Sequence, residues 1–355
     1  MICCYKMKKN IGIWFSGMRT LLKNSGTIIL SAAMLLSSVA PSVAARKQFN
    51  IGTGFIGSSM HSLGTVMAKH LQQDLRMRVT ARPYVGPSTF IPLINADELE
   101  MGLTSMVAMG TAYAGIGAPP NKDVRVVARL FAMPFAFITR KNSGIEAISD
   151  LKGKKVVLKI AAAPAVSIMA EGMLEAAGLT RDDVEIVSVS GVGQGMEAVV
   201  EGNADATPGS VSMSAVRKAN ATAGVRILNL ANADYQERLK HSSAPGLRSY
   251  TVEAGDQPGV ETQTRIFAMD IYLMVPKNLE DEDVTKILDV LHSKWGEMQK
   301  EYKGIAAASL SDFVHSSQTI PYHKAAIKYY KTGKAKAIWD DAAEQRNQKL
   351  LAIWN

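Results

Sequence analysis

From residue 48 onward, short runs of β-branched and apolar residues alternate with stretches whose apolar residues recur at helical spacing. That alternation narrows the fold more than any single motif does. Residues 48–52 read as a strand, and 61–75 follow as a helix with Leu63, Val66, Met67, His70 and Leu71 on one face. Residues 78–83, 101–103, 124–130 and 135–140 read as further strands, with helices over 88–95 and 107–114. A second cycle opens at the polar turn 148–155. Its strands are 156–160, 184–189, 204–207 and 225–230, and its helices 166–177, 195–201 and 212–220. The Gly- and Pro-rich stretch 244–259 reads as a loop, 266–275 as a strand, and 280–302 and 321–331 as helices. Repeated strand–helix order predicts an α/β protein with largely parallel sheets. Two lobes are expected, 46–138 with 262–355 and 139–261, joined by crossover strands at 135–140 and 266–275. Ligand would lie in the cleft between them, where strand ends and helix N-termini point inward.

The first forty-five residues read as a cleaved export signal. Lys6, Lys8, Lys9, Arg19 and Lys23 form a basic segment without acids, and residues 27–40 are almost unbroken apolar and small. Small residues through Ala44 and Ala45 then suit cleavage near either one. The apolar run is shorter than the roughly 20 residues of a spanning helix. Removal takes five positive charges from a formal +8, leaving +3, an ordinary surface that argues against nucleic-acid binding. It also takes both cysteines, Cys3 and Cys4, so the mature chain has no thiol for a disulfide, a metal or nucleophilic attack. The six histidines share no metal-ligand spacing with a carboxylate, no Gly-x-Ser-x-Gly elbow occurs, and no acid/base pair is evident. The expectation is a monomeric periplasmic binding module, with no catalytic residues, metal or cofactor.

The most informative local segment is the turn after the first strand. Gly52, Gly54 and Gly57 fit G-x-G-x-x-G between a strand and a helix, and Asp74 lies about twenty residues on. This is formally a dinucleotide fingerprint, so an exported nicotinamide-dependent oxidoreductase is one reading. Asp74, however, falls within the helix rather than after a second strand, where ribose binding needs it. The same glycines allow backbone N–H groups close to a ligand at a helix N-terminus, which can hold an anion without a basic side chain. Thr53, Ser58 and Ser59 add hydroxyls, and Phe55 and Met60 add apolar surface beside Gly54. A plain tight turn with Ser58 or Ser59 as N-cap is the structural alternative. In the second lobe, Gly209 and Ser210 end a strand on the edge expected to face the cleft, with Ser212 either a donor or a helix cap.

The order Gly52-Thr53-Gly54, Gly57, Leu63-Gly64 resembles the opening motif of the TAXI-family solute receptors, which serve tripartite ATP-independent periplasmic (TRAP) transporters. Val85-Gly86-Pro87-Ser88 resembles the family's glycine–serine turn, and Met101-Gly102-Leu103-Thr104-Ser105 its "G-L-V-Q-S" segment. Residues 148–156 are similar to its "I-x-D-L-K-G-K-x-V" turn, and 320–330 to its C-terminal "P-x-H-P-G-A-x-K-Y-Y" helix. The resemblance implies a two-lobed type II periplasmic binding fold that closes on a small organic anion and delivers it to a TRAP permease. A substrate-binding component of an ABC-type importer is the alternative with the same fold. It also implies ligand contacts from Gly86 and Ser88, from Thr104 and Ser105, and from Ala163, Val166 and Ser167. The sequence departs from the family in that last turn, which reads Ala161-Ala162-Ala163-Pro164-Ala165 where hydroxyl donors are usual. Alanines remove those donors and Pro164 has no N–H. The expected ligand is therefore a carboxylate with an apolar or aromatic body.

Overall fold

The computed structural model describes residues 48–244, 247–335 and 338–354. The export-signal reading lies outside them, and among them no helix is long and apolar enough to cross a membrane. The chain runs β1 (Gln48–Thr53), α1 (Ser59–Leu75), β2 (Arg78–Pro83), α2 (Pro87–Asn95), β3 (Met101–Ser105), α3 (Met106–Ala114) and the long β4 (Val124–Arg140). The second cycle is β5 (Lys155–Ile160), α4 (Pro164–Ala176), β6 (Glu185–Val189), α5 (Val192–Glu201), β7 (Ala206–Ser210), α6 (Ser214–Ala223) and β8 (Val225–Ile227). Then come α7 (Tyr235–Lys240), β9 (Arg248–Val252), β10 (Thr264–Pro276), α8 (Asp281–Glu301), α9 (Lys324–Thr332) and α10 (Asp341–Trp354).

One sheet carries these strands in the order β2-β1-β3-β10-β4-β7-β5-β6, with β8 on β4 and β9 on β10. Its two ends are parallel: β1 pairs with β2 and β3, and β5 with β6 and β7. Between them β4 and β10 run antiparallel to each other over ten residue pairs. The chain crosses from one parallel end to the other along β4 and returns along β10, so the strand–helix alternation yields two βαβ halves sharing one spine. A continuous core underlies the first half and the spine and extends into the second half under β5 and α4, and a smaller one surrounds Val157, Val199 and Val216 in the second half.

Four elements differ from the sequence reading. The two strands expected at 124–130 and 135–140 are one strand, β4, which continues through Pro134. Pro134 is tolerated because pairing with β7 begins only at Phe135, opposite Ser210, so its missing N–H removes no ladder bond there. The stretch 244–259 is not all loop: β9 forms inside it, because β10 offers an edge from Thr264 to Ala268. Helices α7 and α10 were not expected at all.

Candidate functional site

Short loops carry the chain from the ends of β1, β3 and β7 directly into α1, α3 and α6, so the N-termini of those helices face the gap above the sheet. Helices α2, α4 and α5 reach the same gap from the loops after β2, β5 and β6. The gap encloses a cavity of about 320 Å³, at the small end of the range for ligand pockets. It is lined by the first residues or N-caps of all six helices: Ser58 and Ser59, Gly86 and Pro87, Ser105, Ala163 and Pro164, Val192, and Met213. The first N–H groups of a helix have no partner within it, and the aligned peptide dipoles leave partial positive charge there. Positive potential is thus supplied by backbone, because no Asp, Glu, Lys, Arg or His is among the described residues that line the cavity.

Each polar group on the wall has a defined partner. Ser58 caps α1, its Oγ accepting from His61 N at 3.0 Å, and Ser105 caps α3, its Oγ accepting from Ala108 N at 3.2 Å. Both hydroxyls keep their own proton to donate. Ser59 Oγ lies 3.0 Å from Ser210 Oγ and 2.9 Å from Ser212 Oγ, which are 3.0 Å from each other. This buried serine trio joins the head of α1 to the end of β7. The two halves also meet where Ser88 Oγ donates to Ala162 O at 2.7 Å and where Ser214 N donates to Gly57 O at 2.9 Å. Gly57 has φ +97°, a conformation that favours glycine, and this turns its carbonyl toward the second half. Apolar wall comes from Phe55, Met60, Ile91, Met133, Phe135 and Met269, among others.

Of the residues singled out from sequence, Gly54, Phe55, Ser58, Ser59, Met60, Gly86, Ser88 and Ser105 line the cavity from the first half, and Ala163, Val166 and Ser210 from the second. Four stand off it. Thr53 is buried, its hydroxyl donating to Arg82 O and lying 2.9 Å from His61 Nδ1, where burial lowers the histidine's pKa. Thr104 faces into packed protein, and its buried Oγ1 has no partner. Ser167 Oγ accepts from Ile160 N at 3.0 Å, a local tie between α4 and β5. Gly209 packs against the Met213 side chain. Ser212 is not a cap, since Met213 holds that position in α6, but belongs to the serine trio. Asp74 lies in the last turn of α1, away from the end of β2, so the ribose contact of a dinucleotide site is not formed. Sequence reasoning missed Asn121, Thr111, Met133, Met213 and Met269; apolar residues on central strands look alike whether they face a core or a cavity.

The chain matches the model of the NMT1-like family over residues 51–332. A structure described as a periplasmic transporter is similar to it at 14% identity, covering 88% of this chain and 97% of that one, with a TM-score of 0.52. Two others are similar at lower TM-scores. The periplasmic aliphatic sulphonate binding protein SsuA from Escherichia coli is 15% identical, covers 87% and 92% of the two chains, and scores 0.47. A binding protein component of an ABC phosphonate transporter from Pseudomonas aeruginosa is 14% identical, covers 73% and 79%, and scores 0.49. The likeness is one of fold, that of the two-lobed type II periplasmic binding proteins. Because the family match takes in both βαβ halves, the spine between them and every helix N-terminus at the cavity, this chain belongs to the NMT1-like family.

Proposed function

We propose that this protein is an exported solute-binding protein that captures a small organic acid between two lobes, 46–138 with 262–355 and 139–261, and presents it to a membrane importer. The observation that carries this reading is the cavity. Both halves build it, six helix N-termini give it a positive field, and the described residues that line it include no charged, thiol or imidazole group that could act on a bound molecule. Backbone N–H groups and serine hydroxyls suit an oxyanion, and the apolar wall suits a hydrocarbon or aromatic body. Serine hydroxyls line the cavity, but among the described lining residues no histidine, lysine or carboxylate stands beside them to activate one as a nucleophile.

Two importer classes have binding components of this fold. The sequence motifs favour a TRAP permease through the TAXI resemblance. Among the similar structures reported above, the one that names its transporter names an ABC system, so the ABC-type importer is tested first. A multi-span permease with an accompanying ATPase that takes up solute only with this protein supports the ABC reading. A permease that needs no ATPase supports the TRAP reading.

The binding reading is tested by thermal unfolding with a library of small carboxylic acids. At least one acid is expected to raise the melting temperature while being recovered unchanged. Ser58→Asp, which places a carboxylate among the amides at the head of α1, is expected to weaken that acid's binding at least about tenfold through like-charge repulsion. A library in which no acid shifts the transition overturns the proposal, and unchanged affinity in the variant removes this turn from the site.

A further inference from the structure

If the cavity is a solute site, on which this step rests, its chemistry also limits the charge of the solute. We infer that it admits one singly charged oxyanion, a carboxylate or a sulfonate, on an otherwise uncharged body, and that it excludes dicarboxylates and amino-acid zwitterions. An ammonium group taken out of water needs a carboxylate or several free carbonyls, and a second acid group needs a guanidinium, an ammonium or a second set of free donors. No described residue that lines the cavity supplies a full charge of either sign.

The polar groups that remain do not replace one. Asn121 Nδ2 lies 3.2 Å from Pro119 O and 3.4 Å from Ala112 O, and Thr111 Oγ1 donates to Ala108 O at 3.1 Å. Ser88 Oγ is committed to Ala162 O. At the C-terminal end of α3, where exposed carbonyls would attract a cation, Ala112 O already accepts from the N–H groups of Gly115 and Asn121, and Thr111 O from Ile116 N. The free donors are therefore the hydroxyls of Ser58 and Ser105 and the helix-head amides, the three protons of the serine trio being used in its own three hydrogen bonds. All of them favour negative charge. Ser58, Ser59 and Ser210 stand together where α1 meets β7, which gives one acid group one place to bind. The rest of the wall is hydrocarbon and thioether, with Met60, Met133, Met213 and Met269 contributed by four different segments. Methionine adapts its shape more readily than it solvates charge.

The test compares four ligands with the same six-carbon chain, titrated calorimetrically into the protein as its host exports it. They are hexanoate, hexane-1-sulfonate, adipate and 6-aminohexanoate, at pH 7. Hexanoate or hexane-1-sulfonate is expected to bind, and the tighter of the two identifies the acid group. Adipate and 6-aminohexanoate are each expected to bind at least about tenfold more weakly than that acid, because each buries a second charge without a partner. Adipate or 6-aminohexanoate binding within tenfold of it overturns the charge limit and leaves the solute-binding reading standing. Failure of all four to bind, with the carboxylic acid library also silent, overturns both.

Discussion

Asp270 sits on β10, 2% exposed, on the strand residue after the cavity-lining Met269. Burial pushes its carboxyl pKa up, but the Arg129 guanidinium, with Nη2 2.7 Å from Oδ1, outweighs burial and holds it below the usual carboxylate range. Ser317 Oγ donates to the other oxygen at 2.6 Å, and Arg248 adds a longer contact at 3.3 Å. A carboxyl whose folded pKa is depressed contributes stability above its unfolded value, about 3.9, and that contribution is lost as pH falls through the folded value. Asp270→Asn is therefore expected to cost about 3 kcal/mol at pH 7, since it leaves the buried Arg129 with only the longer, 3.7 Å contact to the more exposed Asp312. The deficit should begin to shrink below about pH 4, where the unfolded carboxyl takes up a proton that the native one, held to a lower pKa, still refuses, and it is lost fully only as pH passes the folded value. Urea unfolding of both proteins at pH 7 and pH 3 measures it, and an equal deficit at both would assign the cost to packing instead. Neither this pair nor the serine trio was legible in the sequence. Arg129 and Asp270 lie 141 positions apart, and Ser59 lies 151 and 153 from its partners. Ser58 was legible, because a serine after a glycine turn and before an apolar helical pattern has a local reason to cap.

At the scale of elements, α2 shows how closely the two halves approach. Its N-cap, Gly86, has φ −174°, extended backbone that any residue adopts, so no conformational need for glycine exists there. The need is spatial: a Cβ on Gly86 would overlap the Ala162 carbonyl in the alanine-rich turn before α4. Backbone against backbone cannot yield as a flexible side chain can. Gly86→Ala is expected to force the head of α2 from that turn and to break the Ser88–Ala162 hydrogen bond with it. If this contact forms only when the halves close, ligand affinity should fall at least about tenfold while the ligand-free melting temperature moves by no more than about 1–2 °C, the equivalent of about 1 kcal/mol for a chain of this size. Calorimetric titration and thermal unfolding separate the cases; a large loss of stability would mean that the contact is permanent. The βαβ elements around this site were readable because each buries one face and ends at a glycine or polar turn, as α4 does before Gly178 at φ +83°. β9 was hidden because a short strand among Gly and Pro owes its existence to the edge of β10 and not to its own pattern. β4 was divided because proline usually ends a strand, and only the neighbour's register removes that penalty.

For the molecule as a whole, the question is how firmly the cavity is shut. Across it the halves share the serine trio, the Ser88–Ala162 bond and the Ser214–Gly57 bonds, the last comprising both N and Oγ of Ser214 on one carbonyl. A neutral hydrogen bond adds a net 0.5–1.5 kcal/mol or so once the water it displaces is counted. The set therefore amounts to a few kcal/mol, comparable with the roughly 5.5 kcal/mol that carries a two-state equilibrium from 1:99 to 99:1. Opening would return these groups to water and wet an apolar wall, so neither state is favoured by a wide margin. A ligand that touches both walls adds contacts available only in the closed arrangement, and it shifts the balance by that difference alone. A hinge would lie in the spine: β4 and β10 are the strands by which the chain passes between the halves, and their ladder has register shifts at Ile271/Tyr272 and Leu273/Met274, where regular pairing is interrupted. We expect the radius of gyration measured by small-angle X-ray scattering to fall when a binding acid is added. Ser59→Ala, which removes the hydroxyl common to both cross-half contacts of the trio, should enlarge the ligand-free particle and raise the ligand concentration needed for compaction. Scattering curves that superimpose with and without saturating ligand would mean that the two halves form a fixed body and that solute enters without a hinge.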